Sequence, residues 1–262
     1  MSLKISRLDL NLRRRSLMAY VVGMALYTLV IVALYPQFRH DTSLNNLTKG
    51  GSTAAALFGI TGSLTSPGGW LNANLWANFF PLVILLMAVG YGAAAIAGQD
   101  EDGLLCLLST LPVRRRSLVF QKAAAMVAQA ALLTFAVMLC VLVGKSFQVS
   151  IDPWHVVSAS VAIFLMGMDF GLIAMAVGSA TGKRGATLGA VTCLAAASYL
   201  VSSLAPVVTW LKPVRYASLF FWSVGNDQIV SGASPADLVV LVAVCLAALY
   251  GVVLFFRKLD LH

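Results

Sequence analysis

Charged residues are scarce in this sequence of 262 residues, of which they make up only 11%. A water-soluble domain carries about 25% charged residues, because its surface must be hydrated. Disordered chains are poor in apolar residues, whereas 60% of this chain is apolar and its mean hydropathy is +0.88. The composition therefore excludes a disordered chain, argues against a water-soluble globule, and predicts a protein that lies mostly in lipid.

Cysteine and histidine are also scarce. The four cysteines are Cys106, Cys140, Cys193 and Cys245. They lie in or beside apolar segments and not at metal-ligand spacing, so we interpret them as small buried residues. The three histidines are His40, His155 and His262. With no paired carboxylates in any apolar segment either, the sequence predicts no catalytic, cofactor-binding or metal-binding residues, and a chain that is not an enzyme.

One glycine-rich stretch, residues 178–184, partly matches a phosphate-binding loop. Val177 stands where the loop requires its first glycine, and Arg184 stands where Ser or Thr must hold magnesium. The stretch also follows an apolar segment instead of a β-strand. Any ATP hydrolysis that serves this chain must therefore take place in a separate polypeptide.

Six apolar segments are long enough to cross the hydrocarbon core as helices, which takes about 20 residues. They are residues 17–35, 79–98, 123–144, 154–179, 186–204 and 238–256. An even number of crossings places both termini on the same side of the membrane. We therefore predict an all-α integral membrane protein, with residues 1–262 forming a single transmembrane domain.

Most of the 18 basic residues fall on one side of these crossings. They cluster at residues 13–15, 114–116, 183–184 and 257–258. Lys and Arg are enriched in cytoplasmic segments, so this distribution predicts that both termini are cytoplasmic. The clusters form no continuous stripe that could follow a phosphate backbone, and we predict no nucleic-acid partner.

Two segments outside the crossings have an amphipathic or broken apolar pattern. In residues 1–15, Ile5 and Leu8 share one face of a helix that has Lys4 and Arg7 opposite, which predicts an interfacial helix on the inner leaflet. A frayed basic tail is the alternative. Residues 205–222 are apolar but interrupted by prolines, which predicts short helices in the outer interface.

The first outer loop, from about residue 36 to residue 76, is long and polar. It ends in aromatic residues that predict an interfacial belt, namely Trp70, Trp76, Phe79 and Phe80. The loop also contains a glycosylation sequon at Asn46, which we interpret as a chance match.

A short segment of unusual pattern lies between the second and third crossings. Three acidic residues at 100–102 precede Gly103, and Pro112 and three arginines follow. Between them, Leu104, Leu107, Leu108 and Leu111 share one side at i, i+3, i+4, i+7 spacing. This predicts a helix of about residues 101–111 whose leucine patch needs a partner to cover it. An ordinary loop, with its leucines packed against the helix ends, is the alternative.

This segment resembles the coupling-helix region of the type 2 ATP-binding-cassette (ABC) exporter permeases, whose pattern is Glu-x-Gly-Thr-Leu-x-x-Leu-Leu-x-x-Pro-[Val/Ile]-x-Arg. The matching residues include Glu101, Gly103, Leu108 and Arg115. Leu104 replaces the usual Thr. The six crossings, the N-terminal amphipathic segment and the broken loop before the last crossing extend the resemblance over nearly the whole chain.

The resemblance implies the membrane subunit of an ATP-driven exporter in the cell membrane of a prokaryote, where it forms the translocation path. It implies a second permease subunit, the same or related, and a separate ATPase subunit that binds ATP and Mg. The coupling helix would dock on that ATPase. The predicted docking residues are Glu101, Asp102, Gly103, Leu104, Leu107, Leu108, Leu111, Pro112, Arg114 and Arg115. The alternatives are a secondary transporter or small channel without an ATPase partner, and a passive scaffold.

Asp169 is the only carboxylate deep in a predicted crossing, where a charge costs roughly 3 kcal/mol on insertion scales. One hypothesis places it on the translocation path. The other, which we favour because no second membrane charge exists for a proton relay, gives it a hydrogen bond to a neighbouring helix. The candidate partners are Gln129, Thr134, Thr192 and Ser198.

Glycine pairs four residues apart occur at Gly167/Gly171, Gly178/Gly182 and Gly185/Gly189. Small residues at this spacing let helices approach closely. We predict that they pack helices within the chain rather than forming a dimer seam.

Overall fold

The computed structural model describes residues 9–39, 64–101, 103, 115–147, 149–225 and 228–258. Within these ranges the regular structure is entirely helical. Six helices are long and apolar enough to cross a membrane, which confirms the predicted number. They are α1 (Arg14–Phe38), α2 (Pro67–Glu101), α3 (Arg115–Val143), α4 (Pro153–Thr181), α5 (Arg184–Leu204) and α6 (Pro235–Lys258).

Helix α2 begins well before residue 79, where hydropathy alone places its start. Pro67 occupies its first turn, and the Ser66 hydroxyl caps it by accepting from the Gly69 N–H at 3.1 Å. Asparagines lower the hydropathy here, but their amides form hydrogen bonds within the helix. The Asn74 amide, for example, donates to the Trp70 carbonyl at 2.9 Å. The helix thus continues through residues that resemble a polar loop in the sequence.

This early start places two tryptophans inside the bundle. Trp76 is 1% exposed, and the Trp70 indole N–H donates to the Ile31 carbonyl at 2.9 Å. Phe80 is buried as well, and only Phe79 is exposed. The predicted interfacial belt is therefore wrong for Trp70, Trp76 and Phe80, because the helix carries them into contact with the rest of the chain.

Helix α2 contains two π-helical stretches, Asn72–Trp76 and Ala94–Gly98. A π turn inserts an extra residue into the helical ladder and is frequently found at functional sites. The second stretch lies immediately before the final turn, Gln99–Glu101. The end of α2 that leads into the predicted coupling helix is thus irregular.

Helix α4 is the central helix of the bundle and packs against α2, α3, α5 and α6. Its glycines make this close packing possible. A methyl group at Gly167 would lie 2.9 Å from Ile84 Cγ1, and one at Gly92 of α2 would clash with the Gly171 carbonyl oxygen. Gly167 and Gly171 therefore pack helices within the chain, as predicted. Gly185 and Gly189 on α5 differ, since a methyl group there would have no neighbour within 4 Å.

The outward faces of the peripheral helices are apolar. Large side chains such as Leu26 on α1, Leu132 on α3, Leu194 on α5 and Leu246 on α6 are exposed at the surface of the chain. Most of the apolar stretch of α6 is likewise not buried within the chain. Because apolar faces of this extent are unfavourable in water, they fit the hydrocarbon of a bilayer.

Between α5 and α6 the chain forms several short helices, none long enough to cross a membrane. They are Thr209–Leu211, Val214–Ala217, Leu219–Ser223 and Gln228–Ser231. Phe220 and Phe221 point into the bundle, whereas Trp210 and Tyr216 are exposed. Residues 1–8 of the predicted interfacial helix, the Asn46 sequon and residues 104–114 lie outside the described residues.

Candidate functional site

The last turn of α2 is where the structure meets the predicted docking segment. Gly103 has a φ of 68° and its N–H donates to the Asp100 carbonyl at 3.0 Å. This left-handed conformation favours glycine and ends the helix, which explains the glycine of the motif. Helix α3 begins again at Arg115. The other predicted docking residues between them lie outside the described part of the chain: Asp102, Leu104, Leu107, Leu108, Leu111, Pro112 and Arg114.

Glu101 has a partner within its own chain. Its Oε1 accepts a hydrogen bond from the backbone N–H of Arg184, the first residue of α5, at 3.0 Å. The N-cap residue of α5, Lys183, makes no side-chain cap hydrogen bond. The first N–H groups of a helix lack partners and attract negative charge. Glu101 therefore caps α5 from a position 83 residues away in the sequence.

The surrounding contacts leave little space at this junction. A methyl group at Gly98 would lie 3.3 Å from Arg184 Cδ, and one at Gly178 would lie 3.4 Å from Ala97 Cβ. Gly182, with a φ of 62°, makes the turn from α4 into α5 beside the Asp100 carboxylate. The end of α2 is thus packed against the α4–α5 turn.

A second polar cluster lies at the same end of the bundle and contains a buried lysine. Lys122 of α3 is 1% exposed, and its Nζ donates to Gln99 Oε1 at 2.7 Å and lies 3.5 Å from Asp9 Oδ2. The Tyr91 hydroxyl donates to the same Asp9 oxygen at 3.0 Å, and the Arg13 guanidinium lies over the Tyr91 ring. We call Asp9, Tyr91, Gln99 and Lys122 the buried polar cluster. It joins the N-terminal segment to α2 and α3.

Sequence reasoning missed this cluster. Lys122 counts there only as one more basic residue on the cytoplasmic side, whereas the structure buries it. The only local signal is the place of Lys122 at the edge of an apolar run. A buried charge must be paired and hydrogen-bonded, and both partners of Lys122 come from other segments.

A groove of about 850 Å³ lies between α2 and α5. Leucines of both helices form its walls, and Phe220 of the following segment lines it too. Its polar lining residues are Asn78, Thr192 and Tyr199. The Tyr199 hydroxyl donates to Asn78 Oδ1 at 2.8 Å, near the end of α5 that lies farthest from Glu101. The groove is thus largely apolar, with a hydrogen bond between its two helices at one end. Its volume suits a small organic molecule or part of a larger one.

Asp169 is fully buried, at 0% exposure, and its two carboxylate oxygens have no hydrogen-bond partner. The Cys245 side chain of α6 lies beside the carboxyl. The Cys245 Sγ donates its hydrogen bond to the Leu165 carbonyl instead of the Asp169 carboxylate. None of the four candidate partners bonds it, so that prediction is wrong; Ser198, for example, pairs with Ser218 at 2.9 Å. Asp169 points toward α6 and is not among the residues that line the groove.

In the described part of the chain, no group of three or more His, Cys, Asp or Glu side chains could hold a metal ion. The described cysteines, Cys140, Cys193 and Cys245, are free thiols.

Comparison with known proteins gives one match of nearly full length. A family model described as "ABC-2 family transporter protein" matches residues 3–261. No curated protein matches the chain. Proteins of this family are multi-pass membrane permeases that lack an ATPase domain, are typically without cofactors, and pair with ATPase subunits. The match includes the six membrane-crossing helices, the Glu101–Arg184 hydrogen bond and the cluster around Lys122. The chain therefore belongs to the ABC-2 family of transporter membrane proteins.

Proposed function

We propose that this protein is the membrane subunit of an ATP-driven exporter and forms its translocation path. The observation that carries this proposal is the groove between α2 and α5. It is apolar, it runs along two membrane-crossing helices, and one of them continues without a break into Glu101 at the start of the predicted coupling helix. A movement applied to that helix therefore has a direct route to the wall of the groove.

ATP is bound and hydrolysed, in this proposal, by a separate ATP-binding-cassette subunit that also holds the Mg ion. The glycine-rich residues 178–184 support this division of labour, since they form the end of α4, a left-handed turn at Gly182 and the start of α5. Such a stretch does not wrap around a phosphate in the manner of a P-loop. The chain provides the docking surface instead.

That surface consists of the leucines of the predicted coupling helix, Leu104, Leu107, Leu108 and Leu111. Gly103 and Pro112 bound the helix. The charges of Asp102, Arg114 and Arg115 set its register on the ATPase, because rim charges contribute more to specificity than to affinity. A short helix with one apolar side is suited to lie in a groove of a partner protein.

We further propose that both termini and the coupling helix lie in the cytoplasm of a prokaryotic cell. What supports this is the arrangement of charge: Arg13 contacts Tyr91 at the same end of the bundle as Glu101, Lys122 and Arg184. Basic residues concentrate on the cytoplasmic side of membrane proteins. The short helices between α5 and α6 then lie at the outer face.

The transporter also contains, in this proposal, a second permease subunit, the same or related. The groove supports this, because it is open along one side of the single chain and Thr192 and Leu200 on its α5 wall are exposed. A translocation path must be enclosed from lipid. A second copy placed across the groove would enclose it.

The docking surface is tested by replacing Leu107 and Leu108 with Asp in the full-length chain co-expressed with its ATPase. The charges would be desolvated at the apolar contact, so the ATPase should no longer co-purify, while the amount of permease in the membrane fraction stays unchanged. Ser109→Asp is the matched control, since residue 109 lies off the leucine side of the same helix. Retained co-purification of the ATPase with the double variant would contradict the docking role.

A further inference from the structure

Glu101 connects two parts of the molecule that the proposed function requires to move together. Its carboxylate belongs to the last turn of α2, at the edge of the predicted coupling helix, and it holds the first backbone N–H of α5 at 3.0 Å. The neighbouring Asp100 has no hydrogen bond from its side chain among the described residues. Glu101 is thus distinguished from Asp100 by a specific long-range contact.

The helix that Glu101 holds is a wall of the groove. Leu188, Thr192, Ala195 and Tyr199 of α5 line the groove at intervals of three or four residues. One continuous face of α5 therefore extends from just beyond Arg184 to the bridge between Tyr199 and Asn78. Because an α-helix is stiff over this length, a shift of its first turn is carried along the groove.

The end of α2 packs closely against the start of α5, which favours movement of the two helices together. The stem of Arg184 on α5 lies against Gly98 on α2, where a methyl group would be 3.3 Å from Arg184 Cδ. Interfaces packed this closely move as units because they do not deform continuously. The side-chain contact from Glu101 adds a directional link between α2 and α5.

We propose that Glu101 is a positioning residue that transmits the displacement of the coupling helix to α5, and so to the wall of the groove, instead of contacting the ATPase. The inference rests on the proposed function, since it requires an ATPase that moves this segment. A positioning role and a docking role predict different results when the Glu101 carboxylate is removed. In the positioning role, the ATPase stays bound, but its cycle of ATP binding and hydrolysis no longer moves α5.

The experiment uses the full-length permease with its co-purified ATPase in liposomes. Thr192→Cys, in a chain whose four native cysteines are alanine, reports the groove wall through its rate of alkylation by N-ethylmaleimide with and without MgATP. We expect MgATP to change this rate in the parent chain and to leave it unchanged in the Glu101→Ala variant. Glu101→Gln retains an oxygen acceptor and should restore the response, and Asp100→Ala is the matched control that should keep it.

Native Cys193, which is exposed on α5 next to Thr192 but does not line the groove, reports the movement of α5 without an engineered cysteine. Its alkylation is read from its peptide by mass spectrometry. Release of the ATPase by Glu101→Ala would show docking and overturn the inference, as would a retained MgATP response in that variant. A parent chain that binds no ATPase would overturn the proposed function together with the inference, which separates the two failures.

Discussion

Lys122 lies at the same end of the bundle as Glu101 and has almost no contact with solvent. Removing it from water costs several kcal/mol, which its interactions with Asp9 and Gln99 must offset. These partners come from the N-terminal segment and from α2, so the ion pair contributes to stability only when all three segments are assembled. The residue thus makes the position of the N-terminal segment dependent on the bundle.

We expect Lys122→Met to lower the free energy of unfolding by about 3–5 kcal/mol, because it leaves the Asp9 carboxylate and the Gln99 amide without their buried partner. Thermal unfolding of the detergent-solubilised protein, followed by tryptophan fluorescence, measures the loss as a lower melting temperature. Arg116→Met, at an exposed position in the first turn of α3, is the control and should have little effect. Equal melting temperatures for Lys122→Met and the parent chain would show that the pair adds nothing.

The double variant Asp9→Leu/Lys122→Met tests whether pairing itself is the cause. Replacing both charges by apolar groups removes the unpaired group, so the double variant should be more stable than Lys122→Met alone. Additive losses in the double variant would contradict this explanation and indicate general damage to packing.

Single residues show which contacts cannot be predicted from the sequence. The sequence predicts Glu101 and Lys122 as charges on the cytoplasmic side, but it does not identify Gly103 as the residue where α2 ends. Their partners are not identified, because the Arg184 N–H and the Asp9 carboxylate lie far away along the chain. Asp169 gives the reverse case, in which none of the four plausible partners is the actual neighbour.

Among the elements, the contact of α2 with α4 depends on backbone atoms. Gly92 faces the Gly171 carbonyl oxygen so closely that no side chain fits between the two helices. A backbone neighbour cannot rotate away as a flexible side chain can. The two helices must therefore separate or bend if Gly92 acquires a side chain.

Gly92→Ala should accordingly destabilise the protein by about 1–3 kcal/mol, the usual cost of overpacking a close interface. The measurement is the melting temperature together with the fraction of monodisperse protein in size-exclusion chromatography. Gly90→Ala serves as the control in the same helix, since a methyl group there has no neighbour within 4 Å. If both variants behave alike, the close approach of α2 and α4 is not required.

The elements also differ in how well their ends are predicted. The helices α1, α5 and α6 follow their apolar runs closely, because hydropathy is what selects residues that face lipid. The start of α2 does not, because Asn74 and Asn78 lower the hydropathy while their amides bond carbonyls of the same helix. A polar residue whose hydrogen bonds are satisfied locally costs little inside a bundle.

The distribution of basic residues along the entire chain predicts the orientation of the protein in the membrane. A green fluorescent protein fused after His262 should fluoresce, and alkaline phosphatase fused there should be inactive, because each works only on one side of the membrane. A truncated fusion after Lys212, behind five crossings, should give the opposite pair of results. Active phosphatase at His262 would reverse the orientation and place the coupling helix outside the cell.

The number of crossings, the apolar composition of the helices and the family motif can all be predicted from the sequence without the structure. Each depends on residues that are adjacent or regularly spaced along the chain, where the need to exclude charge from hydrocarbon acts directly on composition. The groove between α2 and α5, the buried polar cluster and the Glu101 cap on α5 are seen only once the chain has folded. Each of these needs two or three distant segments at hydrogen-bond or van der Waals distance, and helix packing determines that distance through the shapes of whole faces.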